Sequence, residues 1–205
     1  MPSSNSNRTR IIIGADPSYR RFGLCFLTLD RDGLREIRLC SFSQELPEGF
    51  RFVDMILSTK LLVDKIKSCI KETLSEDNLK YENLYVPILS MEVPPPTREF
   101  SAGLYMLDTV VYLNLSEFSE LTFVSYPNKI GSLLGPNYKK GVSVSFLRDF
   151  TELNGIKITH GETVNKRKTH INHDEAESAV LAIFAGHVYG ESFKFPEYVN
   201  LTKWR

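Results

Sequence analysis

An uninterrupted apolar run, Ile11-Ile12-Ile13-Gly14-Ala15, stops at Asp16-Pro17-Ser18 and constrains what this chain can fold into more than any other stretch. Its residues are apolar at both alternating sets of positions, which predicts a central strand covered on both faces. Pro17 cannot continue a hydrogen-bonded ladder, so Asp16 closes the strand. A second apolar run, Phe22 to Leu29, leads into the turn signal Asp30-Arg31-Asp32-Gly33. A third, Leu34 to Ser43, is more polar and belongs nearer an edge. The three predict an antiparallel meander.

Helical spacing follows. Over Phe50 to Leu74, the residues Val53, Ile56, Leu57, Leu61, Val63, Ile66, Ile70 and Leu74 form one broad apolar face with lysines opposite. Leu84 to Val93 is another apolar strand, interrupted by Pro87 and ended by Pro94-Pro95-Pro96. Thr97 then suits an N-cap for a helix over Arg98 to Leu115. Leu121 to Tyr126 reads as a short strand closed by Pro127, and Val142 to Leu153 as a helix stopped at Asn154-Gly155. Ile156 to Thr159 is a short strand or a loop, and His173 to Tyr189 is a last helix. This order makes an α/β fold, a mixed central sheet of about five strands flanked by helices. No repeat or linker divides it. We expect a flexible arm over 1–9, one domain over 10–190, and an aromatic-rich tail over 191–205 packed on the domain or on a partner.

The 205 residues suit a single domain. Lys plus Arg is 25 and Asp plus Glu is 25, so no whole-molecule field draws in nucleic acid or acidic lipid, and any polyanion site must be local. Charge is nevertheless polarised along the chain. Segment 127–173 carries eight basic residues against three acidic ones, a net +5, whereas 50–120 carries seven against eleven, a net −4. No apolar run approaches the length of a membrane span or the core of a signal peptide, so the expectation is a soluble protein in a cytoplasmic or other intracellular DNA-containing compartment. Cys25, Cys40 and Cys69 form no CxxC pair. They suit buried thiols better than a disulfide framework or a zinc site.

Acids stand where apolar elements end. Asp16 closes the first strand, Glu92 lies near the end of the fourth, and Asp174 and Glu177 are spaced i, i+3 on the first turn of the last helix. Carboxylates gathered on a sheet centre are costly unless cations compensate them, and hard divalent cations are the usual compensation. Each acid taken singly has an ordinary alternative: a turn residue at Asp16, a solvated strand end at Glu92, and favourable charges at a helix N-terminus for the last two. Of the four histidines, His170 and His173 flank the helix entry; none is assigned to the site.

The set resembles a known family. Ile12-Ile13-Gly14-Ala15-Asp16-Pro17-Ser18 followed by Gly23, then Leu89-Ser90-Met91-Glu92, then Asp174-Glu175-Ala176-Glu177-Ser178-Ala179 is similar, in order and kind, to the three signatures of the RuvC-type Holliday junction resolvases of the ribonuclease H-like (retroviral integrase) superfamily. The resemblance spans roughly the domain of 10–190 expected above. It implies a ribonuclease H-like fold, with Asp16, Glu92, Asp174 and Glu177 as catalytic metal ligands for Mg²⁺ or Mn²⁺, two ions per site. Lys139 or Lys140, in a loop similar to the family's, would contact the scissile phosphate, and Lys140 is counted with the catalytic residues. Lys129, in Pro127-Asn128-Lys129, also similar to the family's, would contact DNA elsewhere; read from charge alone, the turn pair Arg20-Arg21 and the run Lys166-Arg167-Lys168 are either further DNA contacts or solvated loops. The implied activity is paired, symmetric nicking of four-way DNA junctions by a homodimer, leaving 5′-phosphate ends. The alternatives are a nuclease for other branched DNA or RNA/DNA hybrids, and a non-catalytic binding module. Three features depart from the family: Glu177 where Asp is more usual, Pro94-Pro95-Pro96 after the second acid, and extra residues over 31–50 and after Gly190, which fit a diverged phage or viral member.

Overall fold

A computed structural model describes residues 8–18, 21–43, 52–80, 84–93, 102–125, 131, 134, 141–161 and 170–203. The first strand, β1 (Arg10–Asp16), is central as its two-sided apolarity requires: Ile11, Ile12, Ile13 and Ala15 are all fully buried. It pairs antiparallel with β2 (Arg21–Asp30), which pairs antiparallel with β3 (Gly33–Ser43), giving the expected meander. On its other side β1 runs parallel to β4 (Tyr85–Glu92), and β4 runs parallel to β5 (Leu121–Ser125).

The segment left open between strand and loop is a strand. β6 (Lys157–His160) lies parallel to β3, setting Glu36 to Leu39 against Lys157 to His160. The sheet therefore has six strands in the order β5-β4-β1-β2-β3-β6. Four residues with little apolar content do not announce such a pairing locally; β3 supplies it by offering a free edge.

Alternation along β1 separates two cores. Ile11, Ile13 and Ala15 face α1 (Phe52–Lys80) and α2 (Ala102–Leu115). Ile12 faces α3 (Val142–Asn154) and α4 (His173–Tyr189). Fully burying a side chain of this size contributes about 1.5–3 kcal/mol, so the double coverage of one strand dominates the energetics. α3 stops where the sequence predicts, with Gly155 at φ +65° accepting the left-handed turn that ends it.

α1 departs from expectation at both ends. It continues six residues beyond Leu74 because Arg38 on β3 lies 3.0 Å from Glu76 and 3.5 Å from the buried Asp77, anchoring a polar last turn. Its apolar stripe is buried at Leu62, Val63, Ile66 and Ile70, but Val53, Ile56, Leu57 and Leu61 are exposed. In the tail, Phe193 and Phe195 each lie 5.7 Å from Phe150 of α3, and Val199 is buried. All three cysteines are buried, with 3.7 Å between the sulfurs of Cys40 and Cys69. Among the described residues, no helix is long and apolar enough to cross a membrane.

Candidate metal centre

The site forms where central strands end. β1 and β4 are in a register that sets Ala15 beside Met91, so Asp16 and Glu92 emerge next to each other at the carboxyl ends of two parallel strands. On the far side of Asp16 its partner in β2 is Gly23. A Cβ on Gly23 would stand 2.0 Å from the backbone oxygen of Asp174, and one on Gly14 would stand 1.9 Å from that of Ser178. α4 therefore rests directly on bare strand backbone at two points, and this close approach brings its acidic first turn down to the sheet.

The helix end is fixed as firmly. Asn172 and Glu175 form a reciprocal capping box: the Glu175 amide donates to Asn172 Oδ1 (2.8 Å), and the Asn172 amide donates to Glu175 Oε2 (3.0 Å). The fully buried Glu175 also accepts from Ser41 Oγ on β3 at 2.7 Å through its other oxygen. Of the acids in Asp174-Glu175-Ala176-Glu177, Glu175 is thus the anchor that orients the other two. Glu177 turns towards the sheet, where its Oε1 accepts from Ser143 Oγ of α3 at 3.3 Å and lies 3.3 Å from His173 Nε2.

One oxygen each from Asp16, Glu92 and Glu177 lies within 4.8 Å of the other two. At an effective dielectric near 20, two full charges at such spacing repel by about 3 kcal/mol. Burial pushes the Asp16 carboxyl well above the usual range, with Glu92, Glu177, Asp174 and Asp108 adding repulsion. Burial, then Glu177 and Asp108, raise Glu92 to about 8, and burial alone raises Glu177 to about 7. A half-buried set of hard oxygen donors that resist ionising together is what a divalent cation such as Mg²⁺ or Mn²⁺ satisfies, so the residues fit the ion that the sequence signatures imply.

No protein-family model and no curated protein matches the chain. Among solved structures it is similar to Thermus thermophilus RuvC, at 16% identity over 89% of this chain and 98% of that one, with a TM-score of 0.51. The chain has the ribonuclease H-like fold. It is also similar to the yeast mitochondrial Holliday junction resolvase Ydc2, at 18% identity over 87% of this chain and 78% of that one, with a TM-score of 0.49. A further likeness is to the human cytomegalovirus terminase nuclease domain, at 11% identity over 94% and 88% of the two chains, with a TM-score of 0.41.

On this ribonuclease H-like frame, Asp16, Glu92 and Glu177 come together. Asp174 stands just outside the trio and adds its charge to Asp16. Arg21 is exposed at the start of β2, two residues from Gly23. Arg20, Lys129, Lys139, Lys140, Lys166, Arg167 and Lys168, with Pro94-Pro95-Pro96 and Thr97, lie outside the described residues. His170 is exposed, whereas His173, left unassigned by the sequence, contacts Glu177.

Three further participants escaped the sequence reading. Glu175 was readable: Asn172-His173-Asp174-Glu175 has the spacing of a capping box. Asp108 was readable as an acid interrupting the apolar stripe that holds Leu107, Val111 and Leu115. Ser143 carried no such signal, because a serine on the first turn of a helix is ordinary.

Proposed function

We propose that this chain is a divalent-metal-dependent endonuclease that resolves four-way DNA junctions by paired symmetric nicks leaving 5′-phosphate ends. The observation that carries this reading is the convergence of Asp16, Glu92 and Glu177 at the carboxyl ends of the central strands of a ribonuclease H-like sheet. In this reading those three, with Asp174, hold Mg²⁺ or Mn²⁺, two ions per site. Bound there, the ions supply water activation and stabilisation of the leaving oxygen in phosphodiester cleavage.

The chain's own groups do the positioning. Gly14 and Gly23 let α4 approach, Glu175 with Ser41 sets its first turn, and Ser143 donates a hydrogen bond that orients the Glu177 carboxylate. In the same reading Arg20, Arg21, Lys129, Lys139, Lys140 and Lys166 to Lys168 take the phosphates, with Lys139 or Lys140 as the contact to the scissile one. Such contacts hold the backbone without reading sequence, as a structure-selective enzyme needs. A junction has approximate two-fold symmetry, so two matched nicks call for two copies of this carboxylate centre, that is, a homodimer.

The test is incubation with a labelled synthetic junction, a linear duplex and an RNA/DNA hybrid, each with and without Mg²⁺ or Mn²⁺. The expected result is metal-dependent paired nicking of the junction, lost in Asp16→Asn while junction binding survives. Cleavage of the hybrid or of other branches instead would reassign the substrate, and undiminished turnover by Asp16→Asn would exclude the metal centre.

A further inference from the structure

α2 brings one more acid to this neighbourhood from the opposite face of the sheet. The helix starts ten residues after Glu92 and packs Leu107, Val111 and Leu115 into the core shared with Ala15 and Met91, the residues that immediately precede Asp16 and Glu92. Asp108 occupies the same buried stripe. It is only 5% exposed, and its Oδ2 is shut off from solvent with no hydrogen-bond partner among the described residues. A buried, unsatisfied carboxylate oxygen in an apolar helix stripe is expensive. Its charge reaches both Asp16 and Glu92.

Resting on the metal-centre reading above, we propose that Asp108 is an outer carboxylate of that centre: standing beyond the inner trio, it faces the hydration shell of the divalent cation held by Asp16, Glu92 and Glu177. The position explains the otherwise unmatched oxygen, since a hydrated hard cation presents outward-pointing O–H donors that the protein interior lacks. Burial raises the Asp108 carboxyl to about 7. Asp108 is a positioning residue; it adds charge to the centre without touching the reacting atoms.

Mn²⁺ binding to the full chain without DNA, read from the spectrum of the free ion, tests this on wild type, Asp108→Asn, Asp108→Leu and Asp16→Asn, with melting of the metal-free proteins alongside. We expect Asp16→Asn to lose binding and both Asp108 variants to bind about tenfold more weakly, the usual cost of an outer-sphere partner, while melting no lower than wild type without metal. Leu fits an apolar stripe and Asn is nearly isosteric, so a folding defect in one leaves the other to decide. Affinity within twofold of wild type in the folded Asp108 variants, with Asp16→Asn still defective, would overturn the role of Asp108 alone. Equal binding by wild type and Asp16→Asn would instead overturn the metal centre beneath it.

Discussion

Glu92 and Glu177 hold protons in the folded chain at a pH where the unfolded chain has lost them. Their carboxyls rise from an ordinary 4.5 to about 8 and about 7, and Asp16 is raised with them. Between pH 4.5 and 8 the folded state therefore binds more protons than the unfolded one, and stability falls as pH rises through that window. A cation that replaces the protons removes the penalty. The prediction is that the metal-free protein melts lower at pH 8 than at pH 5, that Mg²⁺ or Mn²⁺ restores most of the loss at pH 8, and that neither ion matters at pH 5. Thermal melts across this range check it; a flat metal-free profile would mean that burial and mutual repulsion do not raise these carboxyls.

At the scale of elements, the decisive contact is α4 lying on β1 and β2 at two glycines. Alanine at Gly14 would set its Cβ 1.9 Å from the Ser178 carbonyl and 2.9 Å from Ala182 Cβ, and neither is a flexible side-chain end that could swing away. The helix must lift. We expect Gly14→Ala to cost about 1–3 kcal/mol or more, as overpacking does, and to carry Asp174 and Glu177 away from Asp16. Stability and cation binding should fall together, separating this variant from Asp16→Asn, which should lose binding while keeping its fold. Melting temperature and Mn²⁺ affinity on the same samples distinguish the two, and a stable, metal-binding Gly14→Ala would show that α4 does not need this approach.

At the scale of the whole molecule, the four most exposed large apolar side chains among the described residues lie on one helix layer. Val53, Leu57 and Leu61 of α1 are 58%, 56% and 64% exposed, and Leu113 of α2 is 66% exposed, on the helix layer opposite α4. The paired nicking proposed above would need two copies, and we propose these helices as the contact between them. The prediction is a two-chain species in sedimentation that Leu57→Glu with Leu61→Glu converts to one 23.4 kDa chain without lowering the melting temperature, since neither side chain is in the core. A single 23.4 kDa species from wild type, with and without junction DNA, would defeat the dimer.

Periodicity and punctuation are local, and what depends on them was legible in the sequence: the central strand from its two-sided apolarity, the stop of α3 at Asn154-Gly155, and acids marking the ends of β1 and β4 and the start of α4. Sheet register and helix docking join residues far apart in the chain, and only the tertiary structure decided what depends on those. It paired β6 with β3, extended α1 onto Arg38, and left part of the α1 stripe exposed. It also made Glu175 an anchor and Glu177 a member of the carboxylate trio, although both sit on the same helical turn. The reason is angular: two residues along a helix is a rotation of about 200°, so one acid turns to Ser41 and the other to Asp16 and Glu92.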